Sequence, residues 1–202
     1  MSASPIAALP DLTPRALATL TGRSPCPVKT YRAIAAAIAS VDLRSECAEP
    51  VRRKFNAYYG VRRNAAWREA FYARFEAAKQ SPLTGVDLFA DIVRGIEADP
   101  GRVEASFISK LVATLDPERP IIDSVVRRWL APLTLAPPFH GSIDAVIIYY
   151  QWLNEIMTDL ALTPQARAWS AAFDAAFPTP RGQSAIPAMK RLDFLIWAGA
   201  ER

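Results

Sequence analysis

Apolar residues three or four positions apart, separated by turn signals, decide the fold class of this chain. The spacing holds from about residue 28 to residue 198, and Pro, Gly or short polar groups interrupt it repeatedly. Side chains at this spacing share one face of an α-helix, whereas a half-buried strand alternates apolar and polar residues. Only 8 of 202 residues are Gly, which also favours helix over sheet. We therefore predict an all-α fold of about ten helices.

The N-terminal region differs from the rest of the chain in its proline content. Residues 1–27 are predicted to be irregular apart from one short helix beginning at Thr13 and Pro14, since proline is common at the first helical position. Residues 28–202 are predicted to form a single helical globular unit, with a division into two lobes as an alternative. The prolines of the N-terminal segment include Pro5, Pro10, Pro14 and Pro25.

Charge and composition exclude several function classes. The formal net charge is +4 and the isoelectric point is near 9.3, a basic balance that allows contact with nucleic acid. No apolar run approaches the roughly 20 residues of a membrane span, and the first residues lack the pattern of a signal peptide. A cytoplasmic protein without membrane contact is expected. Cys26, Cys47 and the single histidine, His140, are too scattered for a metal site, so neither metal nor cofactor is expected.

The segment from Asp99 to Leu130 contains the strongest candidate for a catalytic group. It reads DPGRVEASFISKLVATLDPERPIIDSVVRRWL, in which a Pro-Gly turn precedes a helix and a proline-rich loop leads to Asp123. Aspartate at this place is common as an N-cap, since its carboxylate accepts hydrogen bonds from N–H groups of the first helical turn. A structural cap is therefore one interpretation of Asp123.

The same segment resembles the core of the helix-hairpin-helix DNA glycosylases, whose pattern is Leu-Pro-Gly-x-Gly, helix, Pro-x-x-Asp, helix. Pro100 and Gly101 fall on the hairpin of that pattern. Pro120 falls three residues before the acid, and Asp123 falls on the essential aspartate. This resemblance gives Asp123 a second interpretation, as a catalytic residue.

The resemblance implies both a fold and a reaction. The fold is two-lobed, with about ten helices and a glycosylase-like core at about residues 86–160. Backbone N–H groups near Gly101 and Arg102 hold a DNA phosphate, and Asp123 stabilises the cationic sugar. The base is then cut from its deoxyribose after extrusion from the duplex, since the glycosidic bond is hidden within the stack.

Three residues depart from the glycosylase pattern. Val103 replaces the second hairpin glycine, and Glu104 adds a negative charge where a phosphate would dock. Ala105 stands where the bifunctional members have their lysine nucleophile, so the resemblance implies a glycosylase without lyase activity. Lys110 is the nearest lysine along the same helix and is the second candidate catalytic residue.

Two blocks, KFNAYYGVRR and EASFISKLVATLDPERPIIDSVV, resemble those of an uncharacterised bacterial protein family. That family brings no activity with it, but the resemblance implies that the polar and aromatic residues of both blocks form one site. Approach of Lys110 to Asp123 is the part of this prediction that a structure tests most simply. The predicted members are Asn56, Tyr58, Tyr59, Arg62, Ser106, Phe107, Ser109, Lys110, Pro120 and Asp123.

A basic and aromatic segment lies between residues 52 and 75. Cations beside stacking rings suit nucleic acid, because cations hold phosphates and aromatic faces receive splayed bases. The alternative is structural: rings at helical spacing, such as Trp67, Phe71 and Phe75, face the core, and arginines form the solvated face. The nucleic-acid-binding candidates in this segment are Arg52, Arg53, Tyr58, Tyr59, Arg62 and Arg63.

Two function hypotheses follow from the sequence. The first is a DNA-binding and base-excising protein, with Asp123 as its catalytic acid and DNA as its partner. The second is a catalytically inactive binding or scaffold protein of the same fold, in which Asp123 caps a helix and Lys110 clamps the adjoining loop. The sequence names no protein partner for either. A cleft beside Asp123 favours the first hypothesis, and a buried Asp123 bonded to backbone N–H groups favours the second.

Overall fold

A computed structural model describes residues 9–95, 104–140 and 142–200. These residues form ten α-helices and no strand, which confirms the all-α class, and a short 3₁₀ turn precedes the third helix. The helices are α1 (Thr13–Gly22), α2 (Pro27–Ser40), α3 (Glu49–Tyr59), α4 (Ala65–Ala78), α5 (Gly85–Gly95), α6 (Ala105–Leu115), α7 (Ser124–Leu130), α8 (Ile143–Leu162), α9 (Pro164–Ala176) and α10 (Ala188–Gly199).

Local capping interactions fix several helix ends. The side-chain oxygens of Asn64, Asp123, Ser142 and Thr163 each accept a hydrogen bond from an N–H group in the first turn of the following helix. Gly60 ends α3 with φ of 68°, a left-handed conformation that favours glycine. The helix cap predicted at Asp123 is therefore confirmed.

The aromatic stripe of α4 lies in the core, as its spacing predicts. Phe71 and Phe75 are fully buried and Trp67 is nearly so. Phe55 of α3 packs against both phenylalanines, with ring centroids 6.0 and 5.5 Å away. The structural interpretation of these rings is thus confirmed, whereas the division of the molecule into two lobes stays a prediction.

Helix α1 lies in the N-terminal region and begins at Thr13, as the sequence predicts. Helix α1 packs against α10, and its Ala16 and Leu20 are fully buried. Gly199 of α10 allows this close packing, because a Cβ atom there would lie 2.9 Å from the carbonyl oxygen of Leu12. The described part of the N-terminal region therefore belongs to the same hydrophobic core as the rest.

Helix α10 is the central element of the fold. It packs against α1, α7, α8 and α9, and most of its residues are buried. Elsewhere, α5 packs against α6 and α8, and α2 packs against α3. This arrangement places α3, α6 and α10 around a common space in which charged side chains from distant parts of the sequence meet.

Candidate functional site

A cavity of about 750 Å³ lies between the start of α2, the end of α3, α6, the loop before α7, and α10. Its volume is that of a site for a small organic molecule or a single nucleotide. Four aromatic side chains line it, namely Tyr58, Tyr59, Phe194 and Trp197. Its charged lining residues are Arg23, Lys54, Lys110, Asp123, Lys190 and Asp193.

Two hydrogen bonds position Asp123 at this cavity. The buried Ser109 hydroxyl of α6 accepts a hydrogen bond from the Ile122 N–H at 2.9 Å and so holds the loop against α6. Asp123 Oδ1 accepts from the Val125 N–H at 2.8 Å, which caps α7. Oδ2 accepts no hydrogen bond from any described residue, and the side chain is half-buried. Asp123 is therefore both a helix cap and a wall of the cavity.

Lys110 is buried on α6 and lines the same cavity. Its ammonium donates a hydrogen bond to the Tyr59 carbonyl at 3.2 Å and lies 5.3 Å from the ring centre of Phe107. Burial lowers the pKa of Lys110, although the charges of Asp123 and Asp193 act in the opposite direction. The amine consequently loses its proton more easily than an exposed lysine does.

Lys110 and Asp123 share the cavity without pairing directly. Neither forms an ion pair within 4.0 Å with any residue that the structure describes. The loop of Asp123 is held by Ser109 instead, so an ion pair from Lys110 does not clamp it. A carboxylate oxygen and an amine thus remain available to a bound molecule.

The residues Lys190 and Asp193 form a second charged pair at the cavity, which sequence reasoning missed. Lys190 is only 2% exposed, and its ammonium lies 2.6 Å from Asp193 Oδ2. The ammonium also lies 4.8, 5.0 and 5.8 Å from the ring centres of Tyr31, Phe194 and Tyr59. Burial opposes the charged form, but Asp193 and the neighbouring tyrosines together act more strongly in the opposite direction, so the pKa of Lys190 is raised. The only sequence signal was a Lys and an Asp three residues apart in the apolar final helix.

The tyrosines at this site remain neutral at physiological pH. Burial raises the pKa of Tyr58 and Tyr59, and it raises the pKa of Tyr31 to about 12. Tyr58 packs edge-on against Tyr59, with ring centroids 4.7 Å apart. These rings supply an apolar wall without adding a negative charge.

The predicted nucleic-acid-binding arginines occupy different environments. Arg52 is buried and pairs with Glu49 at 3.2 Å and Glu69 at 3.4 Å. Arg63 pairs with Glu104 at 3.0 Å, so the negative charge at the start of α6 is balanced within the protein. These two guanidinium groups are therefore already bound to carboxylates.

The other predicted site residues divide into three sets. Tyr58, Tyr59, Lys110 and Asp123 come together at the cavity. Arg53 and Arg62 are exposed and do not line the cavity. The hairpin residues Gly101 and Arg102 lie outside the described residues, as do Pro100 and Val103.

Four further members of the predicted site support its walls or lie apart from it. Ser109 holds the loop of Asp123, and Phe107 contacts the Lys110 ammonium. The Pro120 carbonyl accepts a hydrogen bond from the Tyr150 hydroxyl at 3.3 Å. Asn56 instead accepts one from the Tyr72 hydroxyl, on the side of α3 that packs against α4.

No protein-family model, curated protein or solved structure matches this chain. Within the described ranges, no helix has the combined length and hydropathy of a transmembrane segment. In the same ranges, no three His, Cys, Asp or Glu side chains cluster closely enough to hold a metal ion.

Proposed function

We propose that this protein is a cytoplasmic DNA-binding protein that excises a base, with the sugar of the extruded nucleotide placed beside Asp123. The observation that carries the proposal is the meeting of Asp123 and Lys110, unpaired with each other, in one aromatic-walled cavity. A cavity of about 750 Å³ has room for a nucleotide. Enzymes that act on a base within a duplex need such a pocket, because they must first remove the base from the stack.

The Asp123 carboxylate suits the charge changes of glycosidic bond cleavage. As the bond between sugar and base breaks, its electrons leave with the base and positive charge develops on the sugar. A carboxylate with one oxygen that accepts no hydrogen bond from the described residues stabilises that charge, and a water molecule then adds to the sugar carbon. The proton released by the water is transferred to solvent, and the departing base is protonated, so the net reaction is hydrolysis.

Lys110 assists Asp123 through its charge in this scheme. Its ammonium and the Asp123 carboxylate attract each other electrostatically. Its burial and its hydrogen bond to the Tyr59 carbonyl fix it in place. Lys110 forms no covalent intermediate in this scheme, so the proposed activity is that of a glycosylase without lyase activity.

A second candidate function is a catalytically inactive binding protein. The observation in its favour is the hydrogen bond from the Val125 N–H to Asp123 Oδ1, which gives the aspartate a structural role. Arg52 and Arg63 are also engaged in ion pairs within the protein, leaving Arg53 and Arg62 as the exposed arginines among the predicted nucleic-acid-binding residues. In the first candidate the negative charge of Asp123 is needed for excision of the base, whereas in the second candidate Asp123 only caps α7.

Substitution of Asp123 by asparagine removes the negative charge but keeps a side chain that can cap α7. Asn caps helices about as well as Asp, so Asp123→Asn is expected to leave the melting temperature nearly unchanged. Asp123→Ala removes the cap as well and is expected to cost about 1 kcal/mol of stability. We expect both variants to lose excision by about 100-fold or more, because both lack the carboxylate.

The measurement is single-turnover release of a base from labelled duplexes that each carry one uracil, hypoxanthine, 8-oxoguanine or 3-methyladenine. Abasic products are revealed by alkaline strand cleavage. Excision by the wild type and its loss in the folded Asp123→Asn variant support the proposal. Equal excision by Asp123→Asn and wild type contradicts the catalytic role, and binding without excision of any substrate favours the second candidate.

A further inference from the structure

Two of the cations that line the cavity are exposed, and we refer to their position as the mouth of the cavity. Arg23 precedes α2 and Lys54 belongs to α3, and both side chains are exposed while lining the cavity. Neither forms an ion pair with a carboxylate anywhere in the described part of the chain. Exposed, unpaired cations at the entrance of a cavity attract an anion to that position.

The Arg23 guanidinium is held in place by an aromatic ring. It lies 4.8 Å from the ring centre of Trp197. A guanidinium has five N–H donors, and those of Arg23 donate no hydrogen bond to any described residue. They are available to the oxygens of a phosphate, with which arginine forms paired, charge-assisted hydrogen bonds.

The interior of the cavity differs from its mouth. Its most buried charged side chain, Lys190, is already paired with Asp193, so this part of the wall carries little net charge. Tyr58, Tyr59 and Phe194 provide flat apolar surface beside it. Across the whole lining, four cations outnumber two carboxylates, so the excess positive charge is found where Arg23 and Lys54 lie.

We propose that the cavity is a binding site for a nucleoside 5′-phosphate, with the phosphate between Arg23 and Lys54 and the base against the aromatic wall. The aromatic wall suits a planar ring, and the cationic mouth suits the phosphate. A free mononucleotide and a nucleotide extruded from DNA share this chemistry. Binding of a nucleotide extruded from DNA rests on the proposed function, whereas binding of a free mononucleotide does not.

The test is calorimetric titration with deoxyadenosine 5′-monophosphate, deoxyadenosine and inorganic phosphate. We expect the monophosphate to bind more tightly than either part, because only it engages both the mouth and the wall. The double variant Arg23→Ala, Lys54→Ala is expected to weaken monophosphate binding by about tenfold or more while leaving nucleoside binding unchanged. Lys29→Ala, Arg167→Ala is the matched control, because it removes two exposed cations that do not line the cavity.

Duplex DNA in the same titrations distinguishes the two sources of the nucleotide. Monophosphate binding that depends on Arg23 and Lys54 supports the inference whether or not duplex DNA binds. If the monophosphate binds and duplex DNA does not, the inference holds and only the proposed function fails. Absence of monophosphate binding, or equal loss of affinity in the control variant, overturns the inference. Because all four substituted side chains are exposed, circular dichroism is expected to show unchanged folding of both variants.

Discussion

The carboxylate oxygens of Asp123 have different surroundings. Oδ1 accepts a hydrogen bond from the N–H of Val125, and Oδ2 accepts none from the described residues. The hydrogen bond to Oδ1 follows from the start of α7 at residue 124, which the sequence predicts because aspartate is a common N-cap. The cavity beside the second oxygen is a tertiary feature. The structural and catalytic interpretations of this residue are therefore compatible. A substitution that removes the charge but keeps the helix cap, such as Asp123→Asn, is needed to distinguish them.

Lys110 provides a second test at the residue scale. Burial lowers its pKa below the value of 10.5 that applies to an unfolded chain. Between the two pKa values the unfolded chain binds more protons than the folded protein, so the free energy of unfolding rises with pH in that window. Lys110→Met removes this contribution. The stability of wild type relative to Lys110→Met is therefore expected to increase as pH rises toward 10.5 and then to level off.

Urea unfolding of both proteins, followed by circular dichroism across the alkaline range, measures this difference. A difference that does not change with pH, or that decreases as pH rises toward 10.5, contradicts the buried position of the Lys110 ammonium.

Helix α10 links the fold to the site at the scale of the element. One face packs on α1, and another carries Lys190 and Asp193 to the cavity. An i, i+3 pair of this kind is usually a weak surface interaction. Here the surrounding helices bury the pair, so the position of α10 determines where the charges of Lys190 and Asp193 lie in the cavity.

The packing of α1 on α10 depends on the absence of a side chain at Gly199. A Cβ atom there would lie 2.9 Å from the Leu12 carbonyl oxygen and 3.2 Å from the Ala16 Cβ, so Gly199→Ala requires the two helices to separate. We expect a loss of about 1–3 kcal/mol in the free energy of unfolding. Gly22→Ala is the control, because no atom lies within 4 Å of the added Cβ. Equal stabilities of the two variants in thermal unfolding would show that α1 does not pack as described.

At the scale of the whole molecule, the sequence predicts the helices better than the site. Helix positions depend on local signals, such as the Asn64 cap and the four-residue spacing of Trp67, Phe71 and Phe75. The burial of Arg52 could not be predicted, because its partner Glu69 lies on another helix. Lys190 and Asp193 were missed for the same reason: they join Lys110 and Asp123 only through tertiary packing.

Blocking the cavity tests the central claim, that a nucleotide extruded from DNA enters it. Ala57 is exposed and lines the cavity, so Ala57→Trp places a large ring there without disturbing the core. Ala39 is also exposed but does not line the cavity, so Ala39→Trp is the control. The measurement is the affinity of each protein for a duplex with a tetrahydrofuran abasic site and for an unmodified duplex. We predict that wild type and Ala39→Trp prefer the abasic duplex, and that Ala57→Trp loses this preference by about tenfold. An unchanged preference in Ala57→Trp, or no preference in the wild type, would contradict the account.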